Sequence, residues 1–181
     1  NVWLGGGWVR DFYVSTPETD WGEVGWFKQR FQTNAYQTAQ WRLFFIHEPP
    51  YVLQWDAECT YDGEDCLKVA LVPLMAEFGI QASFHGHMHG IEYGEVADGV
   101  WSFVAGGLGG GLDADNCTQP EDFPTPWYRL YNVHNFALVE TGCDAMTVRY
   151  MDLDGNELGR IVIDEQGNLL EHDEVAPVPV G

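Results

Sequence analysis

The stretch Ile80-Gln81-Ala82-Ser83-Phe84-His85-Gly86-His87-Met88-His89-Gly90 joins an apolar run to a histidine cluster punctuated by glycine. Ile80 to Phe84 reads as a strand, and alternate residues of a strand share a face. Gly86 and Gly90 bracket His87 and His89, so the backbone can turn tightly and both rings can converge on one point. Neutral imidazole is the commonest protein ligand for a metal ion. A lone histidine is more often a satisfied core residue, but three within five residues form a metal-binding pattern.

Outward from this cluster, Trp41 to Ile46 (Trp-Arg-Leu-Phe-Phe-Ile) is a nearly continuous apolar run, the pattern of a buried strand. It stops at His47, since Pro49 and Pro50 cannot donate to a ladder. His47 therefore falls at the carboxyl end of its strand, where open α/β sheets place ligand sites. The competing reading is that His47 only caps its strand through a backbone hydrogen bond. Between the two strands, Tyr51 to Asp65 is a polar, acidic loop, and Leu67, Ala70, Leu71, Leu74, Met75 and Phe78 recur at helical spacing. Gly79 is placed to cap that helix. Pro73 should kink it or mark the start of a second helix.

Upstream, Asp11 to Ser15 reads as a short strand, and Trp21 to Gln37 as a helix with Val24, Phe27 and Phe31 on its apolar stripe. Downstream strands are expected at 91–96, 100–105, 135–139, 146–152 and 157–163, with a hairpin turn at Asp154-Gly155. This order predicts an α/β fold, a two-layer mixed β-sheet sandwich with flanking helices. Residues 1–165 are expected to form one domain, and 166–181 an acidic, Pro/Val-rich tail or linker.

The 181 residues carry a formal net charge of −20 with only two lysines, Lys28 and Lys68. Such a surface repels nucleic-acid backbones and attracts cations. No apolar run reaches the roughly 20 residues of a membrane span. Cys59, Cys66, Cys117 and Cys143 form no C-x-x-C pair, which disfavours a zinc ribbon or a thioredoxin motif. They allow three pairings. Cys59 with Cys66 would close a short acidic loop, and Cys117 with Cys143 would tie a long loop to a late strand. An even count in loops points to an oxidising compartment, so a secreted, periplasmic or cell-surface location is expected.

Phe44-Phe45-Ile46-His47-Glu48-Pro49-Pro50-Tyr51, Leu71 to Ile80, Gly86-His87-Met88-His89 and Trp101 to Gly110 occur in an order and spacing that resemble the calcineurin-like metallophosphoesterases. The likeness is to the branch that includes purple acid phosphatases, and it covers roughly residues 11 to 163. It implies a metallophosphoesterase-like fold and hydrolysis of phosphate esters at a dinuclear centre of iron, zinc or manganese. His47 and His87 would bind one metal ion of the pair and His89 the other. The two ions would clamp the phosphate oxygens and activate a bridging hydroxide for in-line attack.

The family's D-x-H, G-D-x-x-D and G-N-H-[DE] motifs precede its equivalent of His47, and none occurs here. The resemblance thus implies a carboxy-terminal half whose remaining ligands come from an amino-terminal segment or a second chain; a degenerate relative is the other possibility. The start at Asn1 rather than Met fits a processed or excised chain. His85 is expected to be a core residue or to sit behind the ligands. His134 resembles a structural histidine of the family, and His172 is expected to be solvated in the tail.

Other chemistries find less support. Gly106 to Gly111 lacks the Lys-Ser or Lys-Thr of a phosphate-binding loop. Asp152-Leu153-Asp154-Gly155-Asn156 lacks the downstream glutamate of a calcium loop, so a plain hairpin is the simpler reading. No G-x-S-x-G elbow is present, so acyl transfer has no nucleophile. Metallohydrolases of the β-lactamase or amidohydrolase kind use H-x-H near the start of the chain with an aspartate close behind, whereas here Gly90 follows the histidines and the next aspartate is Asp98. The alternative to an enzyme is a non-catalytic module of an extracellular assembly.

Overall fold

A computed structural model of the chain describes residues 23–54, 59 and 61–177. Its regular elements form two sheets and a helical layer. The first sheet has five strands: β1 (Leu43–Phe45), β2 (Ala82–His85), β3 (Ile91–Ala97), β4 (Val100–Ala105) and β5 (Trp127–Leu130), in the order β1-β2-β4-β3-β5. β1 with β2 and β2 with β4 run parallel; β3 is antiparallel to both β4 and β5. The second sheet is a meander of β6 (Asn135–Thr141), β7 (Met146–Asp152), β8 (Glu157–Ile163) and β9 (Leu169–Asp173), all antiparallel.

The alternation of side chains along the strands makes the sandwich. Ala82, Ile91, Tyr93, Trp101 and Phe103 from the first sheet meet Met146, Val148, Tyr150, Leu158, Ile161 and Ile163 from the second. Fully burying each large side chain contributes about 2 kcal/mol. The opposite face of the first sheet is covered by helices: α1 (Glu23–Phe31), α2 (Asn34–Gln37), a π-helical turn at Leu67–Leu71 and α3 (Val72–Phe78). Phe31, Leu67, Leu71, Leu74 and Met75 form that second core with Ile80 and Val100. The mixed sandwich with flanking helices is thus the architecture expected from the sequence.

Departures from the sequence reading are local. The helix expected over 21–37 is two helices, since Thr33 interrupts it by capping the second through its hydroxyl. Pro73 lies in the first turn of α3, directly after the π-helical turn Leu67–Leu71, so it marks where one helical segment gives way to another. Gly79 caps α3 in the left-handed conformation, φ 66°. Two strands went unread. β5 is short and follows a long loop, and β9 takes residues expected to belong to the tail. Val175, two residues beyond β9, is also buried. The strand expected at 11–15 lies outside the described residues.

The hairpin at Asp154-Gly155 is present, closed by hydrogen bonds to its own aspartate. The Asp152 carboxylate accepts from the N–H groups of Asp154 and Asn156 and from the Asn156 amide. The β8–β9 turn repeats this pattern: Asp164 accepts from Gln166 and Asn168 in the same way.

The four cysteines form one bridge among the described residues, Cys59–Cys117. It is neither of the two pairings considered from the sequence: Cys66 is a buried free thiol and Cys143 an exposed one. The bridge ties the loop after His47 to the loop after β4, so it braces both sides of the histidine cluster.

A buried carboxylate braces the same loop. Glu92 on β3 is fully buried and accepts from the Leu53 and Gln54 amides, the Trp127 indole and the Tyr131 hydroxyl. Burial pushes its pKa up to about 7, against the pull of those donors. An acid raised in this way binds its proton more tightly when folded. Its contribution to stability is full below the unfolded value near 4.3 and declines as pH rises to about 7. The stability cost of Glu92→Gln is therefore expected to shrink between pH 5 and pH 8 in urea titrations; a cost that grows over that interval would contradict the assignment.

Candidate metal centre

The cluster sits where β1 and β2 end side by side. The two strands pair in parallel from Leu43–Ala82 to Phe45–Phe84, so the residues that follow them emerge at the same edge. The ladder continues one step further, with Ile46 N–H donating to Phe84 and Gly86 N–H to the His47 carbonyl. As a result the rings of His47 and His87 lie 5.3 Å apart between centroids, nearly perpendicular. His47 is exposed and His87 half-buried.

His87 adopts a left-handed backbone, φ 67°, which is uncommon for a residue with a side chain. Such conformations cost about 1–3 kcal/mol and concentrate at functional sites. Here the turn redirects the ring towards His47. Burial lowers the His87 pKa to about 4, helped by the neighbouring His47 and His89 and opposed by Asp113. The ring is therefore neutral at physiological pH, the form that coordinates a metal. The Tyr61 ring packs against it at 5.8 Å.

His89 is held from the other side. Its backbone N–H donates to the Asp113 carboxylate at 2.7 Å, and Asp113 N–H returns a bond to the His89 carbonyl. Its Nδ1 lies 2.6 Å from the Gly111 carbonyl, so that nitrogen carries the proton. Asp113 had no sequence signal beyond following a glycine run.

The glycine turn allows this approach. A Cβ on Gly106 would lie 1.9 Å from the Met88 carbonyl oxygen, and one on Gly110 would lie 2.7 Å from the His89 ring. Gly106→Ala is expected to push the His87-Met88-His89 turn out of place and to cost about 2 kcal/mol. Thermal melts of the variant would show this; an unchanged midpoint would mean that the turn yields without strain.

The remaining histidines have other partners. His134 bonds the Gly107 carbonyl through Nδ1 at 2.8 Å, a structural role. His172 is not solvated as expected. Its Nε2 lies 2.8 Å from the Tyr93 hydroxyl and its ring packs 4.2 Å from Tyr128, because β9 places it against the sandwich edge. His85 is buried and bonds Ser83, Ile46 and Glu48. Burial lowers its pKa to about 4.

Glu48 lies beside this cluster, with one carboxylate oxygen buried and lacking a protein partner. Burial, and then Glu64, push its pKa up to about 7.

The donor set decides what could be held. Two imidazoles from separate strands could fill one edge of a metal's coordination sphere. Among the described residues, no group of three His, Cys, Asp or Glu side chains converges as a complete metal site. Three imidazoles also bring no negative charge to balance two dications. Among the described residues, the imidazoles could make at most part of a metal centre.

No family model matches the sequence. Over 98 residues the chain is 32% identical to human tartrate-resistant acid phosphatase type 5, a match that takes in 51% of this chain and 30% of the relative. The rabbit (Oryctolagus cuniculus) protein of the same description is 33% identical over 98 residues, with the same coverage. The chain thus spans about 30% of the length of these curated relatives. Among solved structures, a purple acid phosphatase from yellow lupin seeds superposes with a TM-score of 0.52 at 17% identity, covering 77% of this chain and 27% of that one.

Proposed function

From the purple-acid-phosphatase-like metallophosphoesterase fold that part of this chain adopts, we propose that the chain supplies the imidazole edge of a centre for hydrolysis of phosphate esters. The observation that carries the reading is the meeting of His47 and His87, from two strand tips, with centroids 5.3 Å apart. In this reading His47 and His87 hold one ion of iron, zinc or manganese and His89 contributes to a second. Such ions, if bound, would supply Lewis-acid chemistry at a phosphoryl group.

The chain's own part is to present the imidazoles and to fix their direction. Asp113 and Gly111 hold His89, and the left-handed turn at His87 aims its ring. The carboxylates such a centre needs come from elsewhere, from an amino-terminal segment or from a second chain. A secreted, periplasmic or cell-surface setting goes with this reading, because the Cys59–Cys117 bridge persists in an oxidising compartment. No described helix is long and apolar enough to cross a membrane.

The absence of a third converging donor among the described residues favours a second reading, a non-catalytic scaffold that holds one ion weakly or none. Calorimetric titration with Zn²⁺ and Mn²⁺ separates the two. Binding is expected, with His47→Ala and His87→Ala each weakening it at least about tenfold. Titrations in which the variants match the parent would sink the metal-centre reading.

A further inference from the structure

We propose that His85 is a positioning residue, whose ring replaces the missing strand ladder on both sides of His47 and so sets the approach of His47 to His87. This rests on the reading of those two rings as the metal-facing pair. The argument begins with the backbone of β1. Its ladder cannot continue past His47, because Pro49 and Pro50 carry no N–H. The carbonyls at the end of the strand must nevertheless find donors where they are buried.

The tip of β2 supplies all three. Gly86 N–H donates to the His47 carbonyl at 3.0 Å. His85 Nδ1 lies 3.2 Å from the Ile46 carbonyl and 3.1 Å from the Glu48 carbonyl. Both are acceptors only, so Nδ1 carries a hydrogen shared between the residues that flank His47. Nε2 is then the acceptor, and Ser83 Oγ donates to it at 2.8 Å. These partners fix the tautomer and the ring plane together. The ring is 6% exposed, so water offers no replacement donor. A Cβ on Gly86 would lie 3.3 Å from His47 Nδ1, which shows how closely the β2 tip and the His47 ring are packed.

Three variants separate this role from general packing. His85→Asn retains an N–H donor near the place of Nδ1. His85→Gln offers one near Nε2 instead, and His85→Ala offers neither. Two measurements are needed on the 181-residue chain. The first is the proton NOE between the His47 and His87 rings in histidine-labelled protein without metal. The second is Zn²⁺ affinity by calorimetry.

His85→Asn is expected to keep the NOE and to bind Zn²⁺ within about threefold of the parent. His85→Gln and His85→Ala should lose the NOE and bind about tenfold more weakly, the usual cost of removing a group behind a ligand. If His85→Ala does not fold, the contrast between the asparagine and glutamine variants decides. An NOE preserved in His85→Gln, or lost equally in His85→Asn, overturns the proposal. A parent that binds no Zn²⁺ but shows the expected NOE pattern upholds the positioning role and sinks the metal reading. Zn²⁺ binding with an NOE indifferent to residue 85 does the reverse.

Discussion

Glu92→Ala is expected to cost about 3–5 kcal/mol, because it removes the shared acceptor of four donors and an unmade buried hydrogen bond costs about 1–3 kcal/mol. The carboxylate touches four donors from three parts of the chain: the loop after His47 through Leu53 and Gln54, the first residue of β5 through Trp127, and Tyr131 just beyond β5. Truncation leaves the Leu53, Gln54 and Tyr131 donors buried beside a cavity, with the full desolvation penalty of an unmade bond, while the half-buried Trp127 loses less. The backbone amides cannot turn to another acceptor without moving the loop. Urea denaturation is the measurement, and a midpoint within experimental error of the parent would show that the network is dispensable. Glu92→Gln should cost less, since one oxygen remains to accept.

Breaking the Cys59–Cys117 bridge should have an effect of similar size. The bridge joins residues 58 apart in sequence, and closing a loop of that length is worth about 4 kcal/mol in the chain-entropy account. The loss falls on the site because the bridge links the segment after His47 to the one that carries the glycine turn and Asp113. The Gln54 side chain accepts from Asn116 N–H beside it, so the two loops separate together. Denaturation with and without reductant, and of the Cys59→Ser/Cys117→Ser double variant, would measure the cost. Equal midpoints would mean that hydrogen bonds alone hold the loops.

The elements that the sequence revealed are those whose information is local. β4, β7 and β8 showed clean alternation or apolar runs, and their ends were placed to the residue. His47 and His87 could be paired because each ends an apolar strand at a conformational stop, one at Pro-Pro and one at a glycine. What stayed hidden depends on contacts far along the chain. Cys59 could not be matched with Cys117 by spacing, since their loops meet through distant contacts such as Gln54 with Asn116 and Leu53 with Glu92. Glu92 reads as one more acid in an acidic sequence; nothing near it says that it is buried among donors from residues 53 to 131. His172 looked solvated because the tail composition hid a fourth strand, whose partner β8 contributes the register. His85 was expected behind the ligands, and its neighbours there became identifiable only once the end of β1 lay against the end of β2.

The meander of β6 to β9 differs from its partner sheet in how its order is specified. Each strand pairs with the next in sequence, and two of its three turns are closed by an aspartate that binds its own loop. Only short segments need to find each other, so the entropy lost in closing them is small. The five-stranded sheet instead aligns β1 with a strand almost forty residues later, across the acidic loop, before His47 has a neighbour. The assembled meander can thus serve as a ready-made apolar floor on which the slower, distant alignments of the histidine-bearing strands are sorted.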